Sequence, residues 1–311
     1  SSVVTVYNAR VDFQSRLDRI NQVKVGLEFN YTDNRVNYAS VDKFLPSGRS
    51  RSTWSNFPIR GALYVQDKLE FEGMVANVGV RLDYSDPQGE WYEYDPYTSA
   101  FASENSLGLD TLLAKVTVDK QLDISPRVGI SFPITVNSKL YFNYGHFRQQ
   151  PTPENLFLLR RYSDNNAVVR VADPNNPLPK TVAYELGYEQ NLFDEFLIRI
   201  AGYYKDITLQ SRLVEYVSRD NKVDYTRSEP NNYQDVRGFE LTLTKNRGEW
   251  VQGFLNYTYD VTSAGNFGYG IYYESASLQR NYEATTTSVY QEKPLPRPFV
   301  NLNIDFFTPS D

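Results

Sequence analysis

Val23-Lys24-Val25-Gly26-Leu27-Glu28-Phe29-Asn30-Tyr31-Thr32 alternates apolar and polar side chains without a break. Successive side chains of an extended strand point to opposite faces. Val23, Val25, Leu27, Phe29 and Tyr31 therefore share one face, and Lys24, Gly26, Glu28, Asn30 and Thr32 share the other. The pattern recurs with Ala76, Val78, Val80, Leu82 and Tyr84 opposite Asn77, Gly79, Arg81 and Asp83. It returns with Val182, Tyr184, Leu186 and Tyr188 opposite Ala183, Glu185, Gly187 and Glu189, and with Val300, Leu302, Ile304 and Phe306 opposite Asn301, Asn303 and Asp305. One wholly apolar face and one charged face suit a wall with lipid on one side and water on the other.

Extended along the chain, the pattern predicts eleven strands, roughly 3–16, 22–33, 58–71, 74–85, 126–135, 139–148, 180–191, 195–207, 236–246, 249–262 and 297–307. Their connections alternate in length. Short turns fall at Asp18–Asn21, Glu72–Gly73, Val136–Ser138, Leu192–Asp194 and Arg247–Gly248, and long polar loops at 34–57, 86–125, 149–179, 208–235 and 263–296. The loops are rich in Pro, Asn, Asp, Ser and Gly, the residues of turn chemistry. Short turns at one membrane face and long loops at the other define an up-and-down transmembrane β-barrel. A soluble β-sandwich also alternates its inward rows, but it has no reason to collect every long loop at one end. Phe29, Tyr31, Tyr84, Tyr144, Tyr257, Tyr259 and Phe306 fall near the ends of the apolar rows, where ring side chains form interfacial girdles.

Composition agrees. The chain carries 25 Tyr and 18 Phe, yet its mean hydropathy is −0.53. Half the residues of each strand face water, so averaging hides the membrane. No window approaches the run of about 18 apolar residues that a membrane helix needs. Cysteine is absent, which removes disulfides, thiolate catalysis and thiolate metal ligands. A net charge of −6 with no dense Lys/Arg cluster gives no footprint for nucleic acid. The first residues, Ser1-Ser2-Val3-Val4, contain neither a Met nor a signal peptide, so the chain reads as processed or as a fragment.

Eleven is an odd count, whereas bacterial single-chain barrels have even ones. Terminal strands left bare would expose backbone groups that hydrocarbon does not satisfy. The expectation is therefore one all-β domain over 1–311, a partial antiparallel barrel of about 11 of 22 strands, with a plug domain and the C-terminal strands absent.

Ser125-Pro126-Arg127-Val128-Gly129-Ile130-Ser131-Phe132-Pro133-Ile134 leads through a tight turn to Leu140-Tyr141-Phe142-Asn143-Tyr144-Gly145-His146-Phe147, and on through Arg148-Gln149-Gln150-Pro151-Thr152-Pro153-Glu154-Asn155-Leu156-Phe157. These strings, with Thr181–Gly187, Tyr203-Tyr204-Lys205-Asp206-Ile207 and Arg237-Gly238-Phe239-Glu240-Leu241, run in the order found in the barrel of TonB-dependent outer-membrane receptors. They resemble most the Bacteroidetes-type class that carries a carboxypeptidase-regulatory-like N-terminal domain. The match covers roughly 125–307; earlier hairpins fit in pattern only. The resemblance implies a 22-strand barrel filled by an N-terminal plug, opened by a TonB-type energy-transducing complex pulling on a short N-terminal box.

No catalytic constellation is legible. His146 is the single histidine, it stands on the outward row beside Tyr144, and no G-x-S-x-G elbow exists. Neither a cofactor nor a metal site is expected. Asp164-Asn165-Asn166 and Asp173-Pro174-Asn175-Asn176 are oxygen-rich but lack calcium-loop spacing and read as turns. Glu154 and Asn155 read as local anchors for backbone groups freed by Pro151 and Pro153. The inward charges Arg10, Asp12, Lys24, Glu28, Arg81, Asp83, Arg127, Glu185, Glu189, Arg199 and Glu240 are the candidate lumen lining. They read as a mixed-sign network that binds water and plug; the alternative, sharper reading puts some of them along a substrate route. In the loops, Arg160, Arg161, Tyr162, Tyr216, Tyr233 and Tyr272 are candidate ligand contacts, among neighbours such as Arg219, Tyr225, Asn231, Asn232, Tyr269 and Tyr273. Such residues suit polar-aromatic recognition, and equally a loop stack packed over the mouth.

The expected function is active uptake of a scarce nutrient across the outer membrane, without enzymatic chemistry, the long loops extracellular and the short turns periplasmic. Expected partners are outer-membrane lipid, the TonB-type complex, a surface lipoprotein, and a small-molecule, glycan or peptide ligand. The alternative is a passive porin or a structural outer-membrane barrel that scaffolds envelope machinery.

Overall fold

The computed structural model describes residues 3–41, 49–149, 154–162, 165–286 and 292–308. In chain order the strands are β1 (Val3–Arg16), β2 (Asn21–Val41), β3 (Arg49–Asn56), β4 (Ile59–Phe71), β5 (Met74–Asp86), β6 (Glu90–Tyr92), β7 (Lys115–Thr117), β8 (Gln121–Thr135) and β9 (Ser138–Arg148). They continue as β10 (Leu159–Arg161), β11 (Val168–Val171), β12 (Lys180–Leu192), β13 (Phe196–Val217), β14 (Asp224–Lys245), β15 (Val251–Asn266), β16 (Ile271–Tyr273) and β17 (Glu292–Phe306). Three short helices, α1 (Leu109–Leu112), α2 (Glu154–Phe157) and α3 (Ala276–Thr285), lie in the connections.

The eleven sequence-predicted strands are β1, β2, β4, β5, β8, β9, β12, β13, β14, β15 and β17. Each pairs antiparallel with its chain neighbour in that set. Among the described residues β1 pairs with β2 alone, and β17 with β15 alone. The outward face exposes Val11, Leu27, Leu63, Val80, Ile124, Leu186, Ile200 and Leu302, each more than two-fifths accessible. A soluble monomer does not leave so wide an apolar surface bare; hydrocarbon covers it at no cost. Above this band the aromatics pair across strands. Tyr144 lies 5.1 Å from Tyr184, Tyr184 6.3 Å from Tyr204, and Phe239 stacks at 5.7 Å on Tyr259.

Two expectations about the connections change. First, the strands overrun their predicted ends: β2 reaches Val41, β8 starts at Gln121, and β13 and β14 hold 22 residues each. A membrane crossing takes about 9–11. The β13–β14 ladder runs evenly from Phe196↔Lys245 to Ile207↔Gln234, shifts twice around Gln210, and resumes as a hairpin arm to Val217↔Asp224. Leu209, at the shift, takes φ 60°. Second, the long connections carry structure. β3 lies along the upper part of β2, β11 joins the β14 arm in parallel, β16 joins the β13 arm in parallel, and β6 pairs with β7.

That outer layer holds the hydrophobic core. Trp91, Phe101, Leu109, Leu156, Phe157, Val168, Val171, Val214, Tyr216, Val223 and Tyr225 pack into one cluster, with Val171 and Val214 fully buried. Its side chains come from two connections and the arm, and Trp54 and Tyr272 of two further connections pack against it. The membrane wall needs no such core, since its outer face packs on lipid and its inner face meets water.

Candidate functional site

The inward rows of β1, β2, β4 and β5 build one charge network. Arg10 bonds Asp12 at 2.8 Å and Glu28 at 3.2 Å; Arg81 bonds Glu28 at 2.7 Å and Asp83 at 2.7 Å. Tyr64 closes it, its hydroxyl donating to Asp12 and accepting from Arg10 Nη2 at 3.0 Å. The Tyr64 ring lies flat because its cross-strand partner is Gly26, where a Cβ would collide with the ring. Aromatic rings cover strand glycines in this way and recover packing the glycine lacks. Tyr141 repeats the device over Gly187. Lys24 stands 5.8 Å from the Tyr64 ring centre, within cation–π reach.

A second network lies on β9, β12 and β13. Glu189 takes Lys139 at 3.0 Å and Arg199 at 2.8 Å, and Tyr141 and Glu185 stand beside them on the same inward face. Between the networks Arg127 lies over the Phe147 ring at 4.8 Å. A trough of about 680 Å³, lined by Lys24, Tyr64, Arg81, Arg127, Asn143 and Glu185, runs along this wall. A second, of about 360 Å³, continues past Tyr141 to Glu189 and Arg199. Paired charges beside a wet trough contribute little stability each; what they do is hold side chains in register.

The structure gathers Arg10, Asp12, Lys24, Glu28, Arg81 and Asp83 in the first network, Glu185, Glu189 and Arg199 in the second, and Arg127 between them. Glu240 stands exposed on the inward row of β14, paired in register with Ala201 and Thr258. Tyr64, Tyr141, Asn143, Lys139 and Phe147 are the residues the sequence reading left out. The same alternation places them on the inward rows; Tyr64, Tyr141, Asn143 and Phe147 carry no charge to mark them, and Lys139, the one charged member, stands out only through its pairing with Glu189.

The loop candidates separate. Tyr162 is half exposed. Arg161 donates to the Ser106 carbonyl at 3.1 and 2.9 Å, tying two connections together, and Arg160 is likewise engaged. Tyr233 meets Phe267 at 4.9 Å. Tyr216 is buried, stacked at 5.6 Å on Tyr225 and at 5.6 Å on Tyr272. Its hydroxyl donates to Glu229 at 3.0 Å and accepts from Arg227 at 3.1 Å, and Arg227 pairs with Glu229. Burial pushes the Tyr94 hydroxyl up to about 12 and raises Tyr216 and Tyr225. Burial alone would lower Arg227; Glu229 and the tyrosines outweigh it and raise it. Asp173 is raised by burial, against a backbone N–H from Asn175. Asn175 N donates to Asp173 Oδ1 at 2.9 Å, so this stretch is a turn. Asp164, Pro151, Pro153 and the side chains of Glu154 and Asn155 lie outside the described residues. His146 Nε2 bonds Tyr144 Oη at 2.6 Å. Among the described residues no three His, Cys, Asp or Glu side chains stand together as a metal would require, and no helix is long and apolar enough to cross a membrane.

The family model described as "TonB dependent receptor-like, beta-barrel" matches residues 2–310. No curated protein matches the chain in sequence. Among solved structures, the ferric enterobactin receptor PfeA, in complex with BCV-L6, is similar with a TM-score of 0.57 at 14% identity, over 85% of this chain and 39% of PfeA. The outer membrane transporter YddB from Escherichia coli gives 0.55 at 12%, over 84% and 33%. The FrpB iron transporter from Neisseria meningitidis, as apoprotein of the F5-1 variant, gives 0.53 at 11%, over 86% and 42%. At these identities the likeness is one of fold. The chain spans about a third of YddB and two-fifths of PfeA and FrpB.

Proposed function

Because the chain belongs to the TonB-dependent receptor β-barrel family, we propose that it forms the ligand-admitting wall of an outer-membrane receptor that takes up a scarce nutrient by energised transport. The observation that carries this reading is the inner wall. Its charges are cross-bonded into two networks beside two adjoining troughs, a surface suited to holding a plug that must later be displaced. The outer layer, with its own core, faces outside and presents Tyr162 and its neighbours to ligand. The short turns face the periplasm, where a TonB-type complex acts through a plug and its box. A surface lipoprotein seated on the loops would complete ligand capture. PfeA is a ferric enterobactin receptor and FrpB an iron transporter, so ferric chelates lead the ligands to test, followed by cobalamin, glycans and peptides.

Uptake of labelled ligand by cells carrying the full-length protein tests this. Transport should stop when TonB is deleted or the proton gradient is collapsed. Uptake that survives both, with open-channel conductance of the purified protein in planar bilayers, would establish the passive porin instead.

A further inference from the structure

At the upper end of the inner wall, Arg60 of β4 stands in register with Asn30, Ser85 and Gln121 on the neighbouring strands. No acidic side chain among the described residues pairs with it, and its Nε is buried without a hydrogen-bond partner. The nearby acids among the described residues are committed elsewhere: Glu28 and Asp83, on the same inward rows of the paired strands, each hold Arg81 at 2.7 Å. Asp123 holds Arg148 at 2.7 Å, and Asp86 accepts the Tyr84 hydroxyl and the Gln88 N–H while facing Lys120 at 3.6 Å. Arg60 as a whole is part-buried, but no counter-charge among the described residues offsets the loss of hydration at its buried Nε.

Arg60 lines a small, partly open cavity with Ser85, Gln121 and Asn176. The other polar groups there are already used. Gln121 donates to the Asn176 carbonyl at 2.9 Å and accepts from Leu178 N at 3.2 Å, Asn176 Nδ2 donates to the Ser228 carbonyl at 2.6 Å, and the Leu178 carbonyl accepts from Arg148 at 3.1 Å. What remains is the Arg60 guanidinium, with its Nε–H unpartnered, and the buried Ser85 hydroxyl: one positive charge with donor hydrogens on both groups. Pro58, Pro87, Pro174, Leu156 and Leu178 supply the rest of the wall. The cavity allows about 10 Å³ for the centre of a water-sized sphere, room for one such species.

We propose that this cavity binds a single halide ion, chloride in ordinary media, between Arg60 and Ser85. The charge and the donors select an anion, and the volume admits a monatomic one while refusing sulfate or phosphate. Apolar walls favour a weakly hydrated ion, so bromide binds more tightly than chloride. Leu156, Pro174 and Leu178 belong to the connection between β9 and β12, whereas Arg60 and Ser85 belong to the wall. The ion therefore fastens the outer layer to the barrel, independently of which nutrient is carried.

The test uses the full-length protein in detergent, with melting followed at constant ionic strength as sodium sulfate is replaced by sodium chloride or bromide. The wild type should rise in Tm by a few degrees, further in bromide, while Arg60→Gln should show no halide dependence and melt no lower than wild type in sulfate. Anomalous scattering from bromide-soaked wild-type crystals should place one ion beside Arg60, which keeps the idea testable if the variant folds poorly. A wild type indifferent to halide, or a carboxylate of the polypeptide found against Arg60 in those crystals, overturns the proposal.

Discussion

Replacing Leu27 by arginine separates a lipid-facing wall from a water-facing one. Leu27 sits on the outward row of β2, 56% accessible, with Val11 and Leu63 as cross-strand neighbours, both also exposed. Between Gln22, near the short-turn end, and Leu27 the strand climbs five residues. At about 3.4 Å per residue and a tilt near 45°, that is a height of about 12 Å. The apolar band of such a wall is about 25 Å tall, so Leu27 lies at its midplane. An arginine there costs about 2–4 kcal/mol, roughly a 30- to 1,000-fold loss in the folded population. In water the same exposed substitution would change stability by no more than about 0.5 kcal/mol. The control is Thr258→Arg, on an inward row opposite Glu240, where a cation meets water and a carboxylate. Denaturant unfolding of the full-length protein in phospholipid vesicles, followed by tryptophan fluorescence, reads both. Equal stabilities for the two variants would refute a lipid-facing outer row.

Gly26→Ala drives a methyl group into the Tyr64 ring and should cost about 1–3 kcal/mol as the ring swings away from Asp12 and Arg10; added to Tyr64→Ser it should cost far less, measured as a double-mutant cycle. Arg227→Met leaves Glu229 and the Tyr216 hydroxyl without their cation. The pair is only about a fifth exposed, so about 3 kcal/mol of outer-layer stability should go, read as new protease cuts within 86–125 and 159–178 while the barrel keeps its heat resistance. Asp173, raised in the folded layer by burial, favours its protonated form there. Its stabilising contribution is full below the ordinary carboxylate value and disappears as pH rises through the raised one. Hydrogen-exchange protection of the outer layer should therefore strengthen on acidification through that window, and Asp173→Asn should flatten the dependence.

Much of the wall was legible because lipid outside and water inside force a period of two on each strand, as in Val23–Thr32 or Val75–Tyr84. The upper parts of β13 and β14 were not. There Tyr216 and Val217 are both buried although they point to opposite faces, so the alternation that marks a membrane strand is gone. The parallel additions of β11 and β16 rest on pairings such as Arg170↔Thr226 and Glu215↔Ile271, which join segments more than fifty residues apart and leave no local period. The inner wall was half legible. Its charges stand out by residue type, but Tyr64 matters through the glycine beneath it, a pairing that appears only once strands are set in register.

An outer layer with its own core also constrains how such a receptor diversifies. Change at Phe101, Val171, Val214 or Tyr225 is filtered for packing as it would be in any soluble domain, whatever the ligand. Freedom to vary without unfolding is concentrated at exposed places such as the Arg219–Lys222 tip and the solvent side of α3. New specificities and escape from surface recognition would accumulate there, on a scaffold that itself changes slowly.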